Sequence, residues 1–237
     1  MSRPTMGKKI FNYQDVSGSY RMIRETKIIK KKLVSRTQLF ASTGGAEKLV
    51  EKSIVVSQLG TIKSRRGRTL VVRPLASEFS VWLEGKLYFS KTTLVPAAKS
   101  MRILMKSPES KWNGTQDIKF PKGAYFCYYA QAPECLAQNQ LLERAFSDKD
   151  KNFGFYMVWD SFPYTGEQFA NVSGSFFAPA TIKYDGLVKG MHRFEIEAEG
   201  QMLLYYFSKS FEFVKMSWIA QGLTMSPLGD SSDEEEE

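Results

Sequence analysis

Between residues 53 and 218 short apolar runs alternate with turn residues, and within several runs apolar and polar side chains take alternate positions. In Phe194-Glu195-Ile196-Glu197-Ala198-Glu199 the acids and the apolar residues fall on opposite faces of an extended chain, the mark of a half-buried strand. Leu203-Leu204-Tyr205-Tyr206-Phe207 is apolar on both faces and belongs in the middle of a sheet. The pattern predicts ten strands, at 53–59, 69–75, 79–90, 101–106, 123–130, 153–160, 175–184, 192–199, 201–207 and 211–218, each rich in Val, Ile, Phe, Tyr or Trp. One helix is predicted at 133–146, where Pro133 suits a first helical turn and Leu136, Leu141, Leu142, Ala145 and Phe146 supply an apolar side. Ser42-Thr43-Gly44-Gly45 predicts a turn, followed by a helical turn or two at 46–52. Ten short strands with one crossover helix predict an all-β, antiparallel sandwich or barrel rather than a parallel α/β sheet.

Before this region, Tyr20, Met22, Ile23, Ile28, Ile29, Leu33 and Val34 are interleaved with Arg21, Arg24, Lys27, Lys30, Lys31, Lys32 and Arg36. Such a segment is expected to lie on the body of the fold as a strand or short helix with its basic edge outward. After it, Ser226-Pro227-Leu228-Gly229-Asp230-Ser231-Ser232-Asp233 and four Glu have no apolar surface to offset the entropy of ordering, which predicts disorder. The expected organisation is a basic N-terminal segment at 1–45, a β-sandwich domain at 46–224 and an acidic disordered tail at 225–237.

Composition narrows the class. A chain of 237 residues with 43% hydrophobic and 24% charged residues is one globular domain, which excludes a two-enzyme fusion, wholesale disorder and a coiled coil. The 14% aromatic share suits sheet cores and base-stacking surfaces. Charge is divided unevenly: residues 1–73 carry +13, the last eight residues carry −6, and the total is +8. A basic first third with an acidic end points to a polyanionic partner, nucleic acid or an anionic membrane surface. No basic stretch at the start is followed by an apolar signal core, and no run approaches the ~20 apolar residues of a membrane span. The expectation is an intracellular protein in which Cys127 and Cys135 are reduced thiols.

No motif declares a reaction. There is no phosphate-binding Gly-x-x-x-x-Gly-Lys-Ser/Thr loop, no Gly-x-Ser-x-Gly elbow and no dinucleotide fingerprint. His192 and two dispersed cysteines do not build a zinc site, and Glu195, Glu197 and Glu199 read as a solvated strand face rather than metal ligands. No enzyme activity, metal or cofactor is expected. Lys63, Arg65, Arg66 and Arg68, gathered around Gly67 between two predicted strands, form a cationic hairpin tip. With Arg21, Arg24, Lys27, Lys30, Lys31, Lys32 and Arg36 they are the candidate phosphate contacts, and Tyr20 and Trp112, whose neighbours are polar or basic, are the candidate stacking residues. Ser231 and Ser232 each precede Glu by three residues, the spacing an acid-directed kinase would read.

Val71-Val72-Arg73-Pro74-Leu75 and, ten residues on, Gly85-Lys86-Leu87-Tyr88-Phe89-Ser90 resemble the core of the thirty-kilodalton superfamily of plant-virus movement proteins. Ser90, Lys91, Thr92 and Thr93 stand where that family usually has an aspartate. The resemblance implies a jelly-roll-like sandwich, cooperative binding of single-stranded RNA, self-association and a place at plasmodesmata in the host cell. Other readings of the same charge pattern are a viral coat protein residing in the virion, a single-strand-binding replication protein acting on DNA, and a viral matrix protein on an anionic membrane.

Overall fold

The two-residue periodicity extends further toward the N-terminus than the density of basic residues suggests. A computed structural model describes residues 9–64, 67–121, 125–164 and 175–228. In it β1 (Lys9–Asp15), β2 (Tyr20–Ile29) and β3 (Lys32–Thr43) run antiparallel and continue by ladder hydrogen bonds into β4 (Ala46–Ser64). The basic segment is thus three strands of the sheet. Residues 46–52, expected as helical turns, begin β4; the Gly44-Gly45 turn hands the chain directly from one strand to the next.

Beyond β4 come β5 (Gly67–Leu83), β6 (Lys86–Val95), β7 (Ser100–Lys106) and β8 (Gly114–Lys119). The expected strand at 79–90 is split between β5 and β6 by a turn at Glu84 and Gly85, both at positive φ. The second half consists of β9 (Phe126–Tyr128), β10 (Phe153–Val158), β11 (Phe177–Val188), β12 (Met191–Ala198), β13 (Gln201–Phe207), β14 (Phe213–Trp218) and β15 (Leu223–Pro227). Residues 225–227, expected in the solvated tail, therefore complete the sheet, and residues 229–237 lie outside the described residues.

These strands form one fifteen-stranded sheet in the order β8-β7-β6-β5-β4-β3-β2-β1-β15-β14-β13-β12-β11-β10-β9. The order is sequential on either side of the β1–β15 join. That is the wiring of an up-and-down meander, and the expected jelly-roll alternation of strands between two sheets is not how these strands are ordered. Every pairing is antiparallel except β9 with β10. A parallel pair needs a crossover, and the helical segment supplies it as two short helices, α1 (Ala132–Gln138) and α2 (Leu141–Ser147), instead of the single helix expected. The break falls at Gln140, whose φ of 60° is left-handed.

The sheet folds over on itself, so that the inner faces of its two halves meet. Val55, Met101 and Ile103 from β4 and β7 pack with Tyr128, Val158, Phe176 and Phe177 from the other half. A larger cluster joins Tyr13 of β1, the apolar sides of both helices and the inner residues of β10 to β15. Phe194, Ile196 and Ala198 are fully buried in that cluster, while Glu197 is exposed on the opposite face, as their alternation requires. β13 lies between β12 and β14; Gln201, Leu203, Tyr205 and Phe207 are buried on its inner face, while on the other face Met202 is exposed, Leu204 half-buried and only Tyr206 buried.

Directional bonds register one half against the other. Gln131 accepts a hydrogen bond from Ser57 and donates to Ser35. Tyr164 donates to the carbonyl of Phe89. Asn139, just past the end of α1, accepts from Val72 N–H at 2.9 Å and donates to Val72 C=O at 3.0 Å, so its amide serves as a short substitute strand along β5. Cys127 and Cys135, expected as thiols, form a disulfide: β9 and α1 bring their Cα atoms to 5.8 Å, within the range that a disulfide spans. Both sulfur-bearing residues are buried.

Asn139→Ala removes both bonds to Val72 and leaves two part-buried backbone groups without partners. It is expected to lower stability by about 2 kcal/mol, read as a shift of the urea-unfolding midpoint at unchanged slope.

Candidate nucleic-acid interface

Alternation along β2 and β3 decides where each candidate cation goes. Odd-numbered residues of β2 face outward and even-numbered ones face the other half of the sheet, so Arg21 and Lys27 lie on the outer face and Arg24 lies inside. Arg24 is 3% exposed and is held by a bidentate pair with Glu134 of α1, one arm at 2.6 Å. It is no phosphate contact: the buried guanidinium is already matched to a carboxylate. Arg21 makes two bonds to Glu47, at 2.6 and 2.5 Å, and packs over Phe40. Those bonds hold the Glu47 carboxyl below its ordinary range. Lys27 pairs with Glu25 at 3.3 Å, and Arg36 stands directly opposite Glu25 in the ladder.

The remaining cations of this group gather at one end of the sheet. Lys30 and Lys31 form the two-residue turn between β2 and β3, Lys32 follows, and all three are exposed. Across the ladder Lys32 pairs with Gln58 and Gln58 with exposed Arg73, so one outer row carries two cations. None of Lys30, Lys31, Lys32 or Arg73 has a carboxylate partner among the described residues. At the same end β4 and β5 run on past the β2–β3 turn, with Lys63 and Arg68 at paired positions. Arg65 and Arg66 lie outside the described residues, as do Ser231 and Ser232.

The lysine turn is conformationally unusual. Lys30 and Lys31 both have positive φ, 47° and 62°. Four other two-residue hairpins among the described residues adopt the same sense of turn, and each has glycine second: Gly45, Gly85, Gly190 and Gly200. Of these five hairpins this is the one with a Cβ-bearing residue at that place, at a strain of about 1 kcal/mol.

The stacking candidates sit elsewhere. Tyr20 is 40% exposed but starts β2, and the ten residues of that strand separate it from the lysine turn by about 30 Å. Trp112 is half-buried against the edge of Tyr164, in the connection that leaves the far end of β7. Neither joins the cationic end. Arg73, which sequence reasoning passed over as part of a strand, does join it; its being the one charged residue of Val71-Val72-Arg73-Pro74-Leu75 was the available signal.

A second polar group was missed. Asp160 follows β10, 3% exposed, and accepts a 2.7 Å bond from Ala130 N–H. Its Oδ1 makes no hydrogen bond, and neither does the hydroxyl of Ser53, which lies beside it and still favours the charged form. Burial, with a smaller push from the charge of Glu51, raises the Asp160 pKa to about 7. The signal in the sequence was an acid directly after Phe155-Tyr156-Met157-Val158-Trp159, a run with no polar face to carry it outward.

No group of three or more His, Cys, Asp or Glu among the described residues is arranged to hold a metal ion. His192 lies against Phe211 and Phe146 and bonds Tyr184 through Nδ1 at 3.2 Å. No helix among the described residues is long and apolar enough to cross a membrane. Compared with family models, curated proteins and solved structures, the chain matches none.

Because the folded-state pKa of Asp160 lies above its ordinary 3.8, folding takes up a proton between about pH 4 and 7, and this group's contribution to stability falls as pH rises through that window. Asp160→Asn keeps an acceptor for Ala130 N–H and removes the dependence. The variant is expected to be more stable than the parent by about 2–4 kcal/mol at pH 8 and nearly unchanged at pH 4, measured by thermal melts at both values.

Proposed function

We propose that the protein is a non-enzymatic binder of single-stranded nucleic acid that grips the phosphate chain without sequence preference at its lysine-rich end. The observation that carries this reading is the β2–β3 turn. Lysines occupy both left-handed positions, including the one that glycine fills in the four comparable hairpins, and they have no carboxylate partner among the described residues. A strained residue type kept at an exposed tip is the pattern of a residue retained for what it binds, and three adjacent uncompensated ammonium groups suit phosphates. The contacts in this reading are Lys30, Lys31, Lys32 and Arg73, with Lys63 and Arg68 on the neighbouring hairpin; Arg24 is withdrawn, and Arg21 and Lys27 contribute little because acids already hold them. With Tyr20 and Trp112 at the other end of the sheet, affinity comes from charge rather than stacking, which is why no base preference is expected.

The resemblance of 71–75 and 85–90 to the movement-protein core extends the reading to a viral protein that coats RNA for passage between cells. The jelly-roll kinship which that resemblance implies belongs to the same proposal, supported by the face-to-face packing of the two half-sheets and not by their strand order.

Fluorescence anisotropy with a single-stranded oligonucleotide tests it. Replacing Lys30, Lys31 and Lys32 by Ser, Gly and Ser is expected to weaken binding at least tenfold at 50 mM salt and to flatten the plot of log affinity against log salt by about 2, since each lost phosphate contact removes about 0.7. An unchanged slope, or no binding by the parent at low salt, would sink the proposal. The single change Lys31→Gly is expected to raise stability by about 1 kcal/mol while weakening binding, so the two effects separate in one variant.

A further inference from the structure

Between the two half-sheets lies a cavity of about 80 Å³, walled by β2 to β5 on one side and by β13 to β15 with the residues just after β10 on the other. A dry cavity of about 150 Å³ holds benzene and one water needs roughly 10–15 Å³, so this space suits several waters or one molecule of about five heavy atoms.

Most of the wall is apolar. Trp159 and Trp218 stack with centroids 5.5 Å apart and planes 14° from parallel, and Tyr129 leans on both, at 5.2 and 5.6 Å. Leu39, Phe213 and Met216 continue this surface. Water lying against it lacks the roughly two to four polar partners that a buried water needs, so waters alone fill the space poorly.

The open hydrogen-bonding groups are few. Among the lining residues Asp160 Oδ1, Trp159 Nε1 and Thr37 Oγ1 have no partner, and the first two residues are 3% and 2% exposed. Thr37 stands opposite Ser53 in the β3–β4 ladder, and Ser53, whose hydroxyl is also unpartnered, lies beside Asp160, so these oxygens gather on one part of the wall. Buried polar atoms are nearly always satisfied; open ones around a single space mark a place where a further group belongs.

Their chemistry decides the guest. Trp159 Nε1–H can only donate and the Asp160 carboxylate can only accept, so the guest must both accept and donate. An alkylammonium has no acceptor for the indole N–H; a carboxylate has no donor for Asp160 and is repelled by it. The other charges on the wall are already met: Arg24 is matched by Glu134, and Glu51 has a partner of its own. A hydroxyl on a short alkyl chain supplies a donor, an acceptor and an apolar body.

We infer that this cavity is a binding site for a small uncharged alcohol, whose hydroxyl accepts from Trp159 Nε1–H and donates to Asp160 Oδ1 and whose carbon chain lies against Trp218, Tyr129 and Phe213. The inference is independent of the nucleic-acid reading: it uses none of the lysines of the β2–β3 turn.

The full-length chain is titrated at pH 8 with butan-1-ol, with its isomer diethyl ether, which has the same heavy atoms but no donor, and with butylammonium and butyrate, following tryptophan fluorescence and thermal stabilisation. Saturable binding of butan-1-ol below about 10 mM is expected, at least about tenfold tighter than that of the other three. In Asp160→Asn the amide oxygen stays on Ala130 N–H and turns the amide NH₂ toward the cavity, so the open acceptor becomes a donor. This variant is expected to bring the alcohol and the ether to within about threefold of each other. If it proves poorly folded by circular dichroism, Trp159→Phe, which keeps the aromatic wall and removes the N–H, is expected to weaken butan-1-ol about fivefold. Absence of saturation by butan-1-ol, which would leave the cavity to waters only, overturns the inference. So does an alcohol bound no better than the ether or the cation, an alcohol-to-ether ratio unchanged in folded Asp160→Asn, or alcohol affinity unchanged in Trp159→Phe.

Discussion

A sheet of fifteen twisted strands with one apolar face has no stable flat form in water. Open sheets beyond about ten strands curl or split into packed layers. Here the sheet folds, and the strands at the fold are the first and the last of the described chain: Tyr13 pairs with Pro227 and Asp15 with Met225. Everything else depends on that join. It brings the inner faces of β2 to β7 over those of β9 to β15, it buries Tyr13, and it creates the interior in which Arg24, Asp160 and the tryptophans find themselves. Closing a ladder between residues some two hundred positions apart carries a large loop entropy, so the join is stable only because two complete apolar faces are buried with it.

Apolar contact alone would let two broad faces slide. The directional contacts between the halves remove that freedom: in each, a side chain of one half reaches a polar group on the other. Asn139 completes the stretch of β5 that runs beyond the end of β6, Gln131 bridges Ser35 and Ser57, Tyr128 meets Thr92, and Glu134 meets Arg24. α1 and the residues next to its two ends, Gln131 and Asn139, carry three of these four residues. The crossover that makes β9 and β10 parallel therefore also sets the register of the sandwich, and the disulfide from Cys127 to Cys135 fixes α1 to β9 at the point where those contacts begin.

Much of the sheet was legible in the sequence wherever one face was apolar and the other polar, as in β12, or where both faces were apolar, as in β13. The first three strands were hidden for a physical reason. Their inner positions include Arg24, Thr26, Ser35 and Thr37, polar groups satisfied or left open by a distant part of the chain, so alternation by polarity fails although alternation by burial holds. The same circumstance misled the choice of phosphate contacts. Treating 21–36 as a pool of cations ignored parity; counting by twos along β2 would have separated Arg24 from Arg21 and Lys27. The helix break at Gln140 and the cysteine pairing depend on packing against β5 and β9, which no local pattern reports.

The location of free charge follows from sheet geometry more than from composition. On a strand's outer face each side chain has a directly opposite neighbour at about 5 Å, close enough for opposite charges to pair. The outer face uses this repeatedly: Arg102 with Asp117, Lys91 with Glu78, and Lys183 opposite Glu195. Arg21 reaches Glu47 on β4, two strands away, and Lys27 reaches Glu25 two residues back on its own strand. Cations paired in this way are absorbed locally and add little net field; on the outer row at the lysine end, Lys32 and Arg73 are not paired with acids. A turn residue has no such neighbour. Lys30 and Lys31 project beyond the last ladder pair, Ile29 with Lys32, where no strand supplies an acid. A chain with an excess of lysine and arginine will therefore concentrate its unbalanced charge at the ends of its hairpins even when the residues are spread along its strands. In such a sheet the turns are where cationic charge is least neutralised by the protein's own acids.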